Sequence, residues 1–174
     1  MTQLSPDAAR FWQCFRDATG RDGSPFDVFA FGDDPEMADA LLALVLSGRK
    51  QATATRARVY EIEGFARPPK PGDLSLILDG QGAPACVIET LQVDLVPFTE
   101  ISAEFAFVEG EGDRSLAYWR RVHLEYYTRE CAKEGAMFDQ SELIVCERFK
   151  LLWRLDRSPA KRPPYMGAAS RELW

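Results

Sequence analysis

The sequence predicts an α+β domain, a small curved sheet or barrel with helices packed around it. Three observations lead there. Two segments with helical spacing come first, several strands of antiparallel character follow, and one long helix interrupts them before a last strand. With 174 residues, 46% of them hydrophobic and 28% charged, the chain suits one domain with its own core.

Ser5-Pro6-Asp7 opens the first helix, with a hydroxyl at the N-cap and proline at the first helical position. Phe11, Trp12 and Phe15 form its apolar stripe, and Gly20 closes it. "RDGSPFD" is a turn, and Val28 to Phe31 a short buried strand. Asp34-Pro35 starts the second helix by the same device. Met37, Leu41, Leu44 and Val45 fall at helical spacing, and Gly48 stops it. Residues 52–60 alternate as a strand, and "GFARPPKPGD" is a proline-rich loop. Leu74 to Leu78 and Pro84 to Val96 form a hairpin about the turn Asp79-Gly80-Gln81-Gly82. After the acidic loop "EGEGD" at 109–113, Asp113 or Ser115 caps a helix that runs to about Gly135. Leu116, Trp119, His123 and Tyr126 or Tyr127 share one of its faces. Residues 142–155 make the final strand. Residues 1–155 are therefore expected to form one domain, 1–25 being a helical extension, and 156–174 a flexible tail.

The net charge of −6 argues against a long nucleic-acid footprint, which needs clustered cations. It leaves room for a local basic pocket that takes one or a few nucleotides. Cys14, Cys86, Cys131 and Cys146 lie far apart with no Cys-x-x-Cys pair, so reduced thiols in or near the core are expected. Gly-x-Gly-x-x-Gly, P-loop and Gly-x-Ser-x-Gly patterns are absent, which argues against nucleotide-cofactor folds and serine hydrolases. No 18-residue apolar run occurs, and "MTQLSPDAARFW" lacks a signal-peptide layout; a cytoplasmic protein with no membrane partner is expected.

"LSGRKQATATR" at 46–56 breaks the apolar helix with a glycine, two cations and a run of hydroxyls. Cations are favoured at a helix C-terminus, which accounts for part of Arg49-Lys50. Thr53 follows Lys50 by three, and a helix stop entering a strand can aim both into one hollow. A lysine beside a hydroxyl serves as a base or an electrostatic activator, the base role requiring that burial lower its pKa. Arg56 and Arg58, two apart on a strand, would share a face suited to phosphate or carboxylate. The bland alternative pairs them with Glu61 and Glu63. Tyr60 ends the same run. In "VEGEGDR", Glu109 and Glu111 flank a glycine that lets carboxylates approach a substrate, with Arg114 beside them; an ordinary capping loop is the alternative. Trp119 and the only histidine, His123, offer an aromatic face that would stack a base or simply fill the core.

Taken in order, "ADALLALVLSGRKQATATR", "KPGDLSLILDGQGAPACVIET" with "VDLVPF", "FAFVEGEGDRSLAYWRRVHLEYY" and "LIVCERFKLLW" resemble the ASCH superfamily from about Phe31 to Trp153. The resemblance implies a PUA-like β-barrel with flanking helices, a fold used for RNA and modified nucleosides. It also implies two activities: cleavage of RNA, and amide hydrolysis of acetylated cytidine by a lysine, a threonine three residues later and a glutamate. Lys50 and Thr53 match the first two of these, and Glu109 or Glu111 supplies the third. The extra N-terminal helix, the longer loop at Glu111 to Arg114 and the longer tail bring the chain nearer the longer members, for which ribonuclease activity is implied.

Three functions follow as expectations. The first is a ribonuclease on single-stranded RNA. There Arg49, Arg56 and Arg58 hold phosphates, Lys50 stabilises charge, Glu109 or Glu111 takes a proton, and Trp119 or a tyrosine stacks a base. The second is a nucleoside amidohydrolase using Lys50, Thr53 and a glutamate. The third is an RNA- or nucleotide-binding module without catalysis. No cofactor is assigned. RNA cleavage would admit a divalent metal, for which no dedicated ligand cluster is visible. The oligomeric state is not set by the sequence.

Overall fold

The structure, a computed structural model, describes residues 4–155. Its elements run α1 (Pro6–Thr19), β1 (Asp27–Phe29), α2 (Pro35–Leu46), β2 (Ala52–Arg56), α3 (Ala57–Ile62), β3 (Leu74–Leu78), β4 (Pro84–Pro97), a 3-10 turn (Phe98–Glu100), α4 (Ala103–Glu109), α5 (Leu116–Lys133) and β5 (Leu143–Arg154). The expected C-terminal tail lies outside the described residues. No helix among the described residues is long and apolar enough to cross a membrane.

The five strands form one curled sheet, a half-barrel, in the order β1-β3-β4-β5-β2. All pairs are antiparallel except β1 with β3. The β4–β5 register slips at Val87/Ile88 and at Thr90/Gln92. Such bulges bend both strands and let the long ribbon wrap. The curl leaves β1 and β2 as edges, with an unclosed seam between them.

Helices cover both faces. On α1, Phe11, Trp12 and Phe15 pack on Leu76 and Val87. Leu42 and Val45 of α2 pack on Ile77, Cys86, Ile88 and Phe149. Phe105 and Ala106 of α4 and Trp119 and Tyr127 of α5 pack on Ala52, Ile144 and Cys146. The helical extension is thus part of the core. Its start is as expected: the Ser5 hydroxyl accepts from Ala8 N, and Gly20 closes the helix at φ 68°.

Three segments depart from expectation. The strand expected over 52–60 ends at Arg56, and 57–62 turn into α3. Arg56 is drawn inward to acids of α5, and Tyr60 is buried with its ring 5.6 Å from Phe65, so tertiary partners override the alternation. Residues 103–109 form α4, where Glu109 was expected in a loop; Ser102 caps the helix by accepting from Phe105 N. The first strand leaves the sheet after Phe29, so Ala30 and Phe31 face the seam instead. Of the two candidate caps of the long helix, Ser115 is the one used, and Asp113 accepts from Ser115 N.

Candidate active site

A cavity of about 500 Å³ opens at the seam. Its floor is Phe29 to Gly32 after β1 and Thr53 to Thr55 of β2. Its walls are Met37, Ala40, Leu41 and Leu44 of α2 against Tyr118, Val122 and Tyr126 of α5. Lys50, Glu109, Glu111 and His123 converge on it.

Lys50 reaches the cavity because the chain turns tightly off α2. Gly48 adopts φ 76°, and Arg49 N and Lys50 N both donate to Leu44 O, at 2.9 and 3.0 Å. The turn drops Lys50 inward to 2% exposure. Arg49 goes the other way: its Nε donates to Gly110 O at 2.8 Å and its Nη2 to Gly112 O at 2.6 Å. It therefore clamps the acidic loop. Gly110, at φ 78°, lies so close that a Cβ there would collide with the Arg49 carbonyl. Sequence chemistry assigned Arg49 to phosphate; the structure gives it to the loop.

Lys50 Nζ donates to Glu111 Oε1 at 2.5 Å and to Glu109 Oε1 at 3.4 Å. Burial alone would lower its pKa, but the two carboxylates outweigh that and raise it. The condition for a neutral lysine base is thus not met, and Lys50 is a held ammonium. Burial would raise the pKa of Glu109, yet Lys50, His123 and Trp119 bring it down to about 2. Trp119 Nε1 donates to Glu109 Oε2. His123 Nδ1 faces Trp119 O at 2.9 Å, and Nε2 faces Glu109 Oε1 at 3.4 Å. Both ring nitrogens meet acceptors, so both donate, and His123 is an imidazolium. Its pKa is accordingly raised, Glu109 overcoming the opposing effect of burial. Two cations and two carboxylates therefore balance in a nearly dry site.

The two acids, which sequence reasoning left undivided, differ here. Glu109 is 1% exposed and held by three donors. Glu111 meets Lys50 alone among the described side chains and is 18% exposed, so it is freer to turn to a ligand.

The other expected contacts distribute unevenly. Thr53 lines the cavity. Arg56, 1% exposed, donates to Glu130 and Cys131 of α5 and to Glu134, the residue that caps its C-terminus, away from the cavity walls. Arg58 is exposed on α3, so the shared face proposed for Arg56 and Arg58 does not exist. Neither do the Glu61 and Glu63 pairings appear for Arg56. Tyr60 is buried against Phe65 and is not a cavity wall. Arg114 lies over the Phe107 ring and donates to Arg49 O at 3.5 Å. Trp119 sits behind the wall, stacked on His123 with centroids 4.0 Å apart, as a core residue that touches the site through Glu109.

Glu147 was missed. It is 5% exposed on β5, directly opposite Thr53 in the β2–β5 register, and accepts from Thr90 Oγ1 at 2.6 Å. Cross-strand partners project to the same face. Burial pushes its pKa up to about 7. A lone acid inside the apolar run "LIVCERF" was the available signal. Among the described residues, no group of three or more His, Cys, Asp or Glu is arranged to hold a metal. Cys14 is exposed, while Cys86, Cys131 and Cys146 are buried free thiols.

The family model of the ASCH domain matches residues 27–153. The crystal structure of protein EF3133 from Enterococcus faecalis V583 is similar at TM-score 0.77 and 36% identity, over 84% of this chain and 88% of that one. The crystal structure of an ASCH domain from Lactobacillus crispatus JV V101 is similar at TM-score 0.78 and 29% identity, over 87% and 97%. Among curated proteins, none matches the sequence.

Proposed function

The chain belongs to the ASCH domain family, and on that premise we propose that its cleft hydrolyses an amide on a modified nucleoside. The observation that carries this reading is the convergence of Lys50, Thr53, Glu109 and Glu111 on one small cavity. The arginines that a ribonuclease reading needs are engaged elsewhere: Arg49 with loop carbonyls, and Arg56 with acids of α5. A cavity whose inner charges cancel suits an uncharged base better than a phosphodiester track.

In this mechanism the Thr53 hydroxyl attacks the amide carbonyl and gives its proton to Glu111. The Lys50 ammonium donates to the oxyanion that develops. Glu111 then passes the proton to the leaving amine, the C–N bond breaks and an acyl ester remains on Thr53. Water, deprotonated by Glu111, hydrolyses that ester and releases the acid, and the proton returns to Thr53. Glu109 stays ionised throughout and holds Lys50 and His123 in place.

The test incubates the pure protein with N-acetylated cytidine and follows release of cytidine, with labelled single-stranded RNA in parallel. Hydrolysis should fall by at least about a hundredfold in Lys50→Ala and in Thr53→Ala. Full activity in Thr53→Ala would remove the threonine's role. Binding without product would make the cleft a recognition module. RNA cut by wild type and not by Lys50→Ala would restore the ribonuclease reading.

A further inference from the structure

The outer end of the cleft holds a charged group that amide chemistry does not use. Arg129 of α5 lines the cavity. Its guanidinium meets the Asp33 carboxylate, on the loop after β1, with Nη2 at 3.2 and 3.4 Å and Nε at 3.4 Å. Lys133, one turn on, points to the same carboxylate from 3.9 Å. Arg129 follows His123 by six residues, about 9 Å along the helix axis at 1.5 Å per residue. Val122 and Tyr126 line the wall near these two positions, and the Arg129 guanidinium lies 5.8 Å from the Tyr126 ring centroid.

We infer that this end is an anion subsite, in which Arg129 takes the phosphate monoester of a nucleotide whose modified base reaches Lys50. The phosphate replaces Asp33 as the partner of the guanidinium. The base end of this statement rests on the amidohydrolase reading; the phosphate end does not.

Local charge supports it. Two cations share the single Asp33 carboxylate. The neighbouring acids have partners of their own: Glu125, which also lines the cavity, lies 3.7 Å from Arg121, Glu130 accepts from Arg56 at 3.3 Å, and Asp34 accepts from Met37 N at 2.8 Å. At Asp33 two cations thus meet one carboxylate, while the inner end balances Lys50 and His123 against Glu109 and Glu111. Exchange is also cheap. The Arg129 side chain is 49% exposed and that of Asp33 17%, so solvent screens the guanidinium side of the pair and lowers what is lost on exchange. A phosphate offers the planar guanidinium two oxygens and more charge than a carboxylate.

The experiment compares kcat/KM for N-acetylated cytidine and for its 5′-monophosphate on the full chain. The monophosphate should be favoured by about tenfold, as expected for one charge-assisted contact. Arg129→Gln should abolish that preference, and added salt should shrink it. Asp33→Asn should enlarge it, because the competing carboxylate is gone. Equal kcat/KM for the two substrates, or a smaller preference in Asp33→Asn, overturns the subsite while the hydrolase reading stands. If neither substrate reacts, calorimetry with cytidine and cytidine monophosphate decides. Tighter monophosphate binding that depends on Arg129 keeps the subsite and drops the hydrolase reading. Equal or undetectable binding of both overturns the subsite.

Discussion

Lys50 Nζ lies 2.5 Å from Glu111 Oε1, although 61 positions separate the two in the chain. One residue leaves the end of α2 and the other leaves the end of α4. Both helix ends are locked by left-handed glycines, Gly48 and Gly110. The contact is therefore a consequence of two chain stops meeting, and its chemistry depends on both.

Removing the ammonium should be felt in stability as well as in rate. Lys50→Met leaves Glu109 in a dry site with one cation fewer, which should cost about 3–5 kcal/mol. Adding Glu109→Gln should recover much of that stability and none of the turnover. Urea unfolding of the single and double variants, beside turnover, reads both. An unchanged midpoint for Lys50→Met would show the pair is not desolvated.

The clamp on the acidic loop should show in Gly110→Ala. A methyl there meets the Arg49 carbonyl and must adopt φ near 78°. The cost should be at least about 2 kcal/mol. Arg49→Ala should be milder in melting but should still lower kcat, since Glu111 loses its anchored backbone. A changed KM for phosphate-bearing ligands with unchanged kcat would return Arg49 to the ligand.

Glu147 makes stability depend on pH in an unusual direction. Its folded pKa is about 7 against an ordinary 4.5. Between those values the folded chain holds a proton that the unfolded chain has lost. Stability from this group is therefore full below about 4.5 and falls as pH rises toward 7, by on the order of 3 kcal/mol. Glu147→Gln should remove that slope, so the variant gains most over wild type near pH 8. Parallel slopes for the two proteins would mean that the carboxyl is not held neutral.

Arg56 was expected to hold a phosphate, and its place makes the opposite prediction. Arg56→Met should strand Glu130, Glu134 and Glu142 near one another and destabilise by about 2–4 kcal/mol. Its kcat/KM below the melting range should stay within about twofold. A tenfold loss with an intact melt would put Arg56 back in the site.

Much of this was legible because it is local. Ser5, Asp34 and Ser115 each cap a helix within three residues, and "SGRK" marks a stop by its glycine alone. The lysine, threonine and acidic loop could be paired because a family likeness put them in order. What escaped depends on distant partners. Arg56 reads like a surface cation until α5 presents its acids, and residues 57–60 read as strand until Tyr60 is buried. Neutralisation of Lys50's depressing burial by two acids could not be judged without their distances. Glu147 opposite Thr53 is a matter of strand register, which the sequence leaves open.

Trp119 packs against Phe98 with ring centroids 5.4 Å apart while its indole holds Glu109. Interior packing and the ionic site thus share one side chain. Amino-acid exchanges at Phe98, which never face a ligand, should alter turnover as readily as they alter melting. Selection on catalysis would then police the interior, and attempts to repack this half of the molecule for durability would be constrained by reactivity.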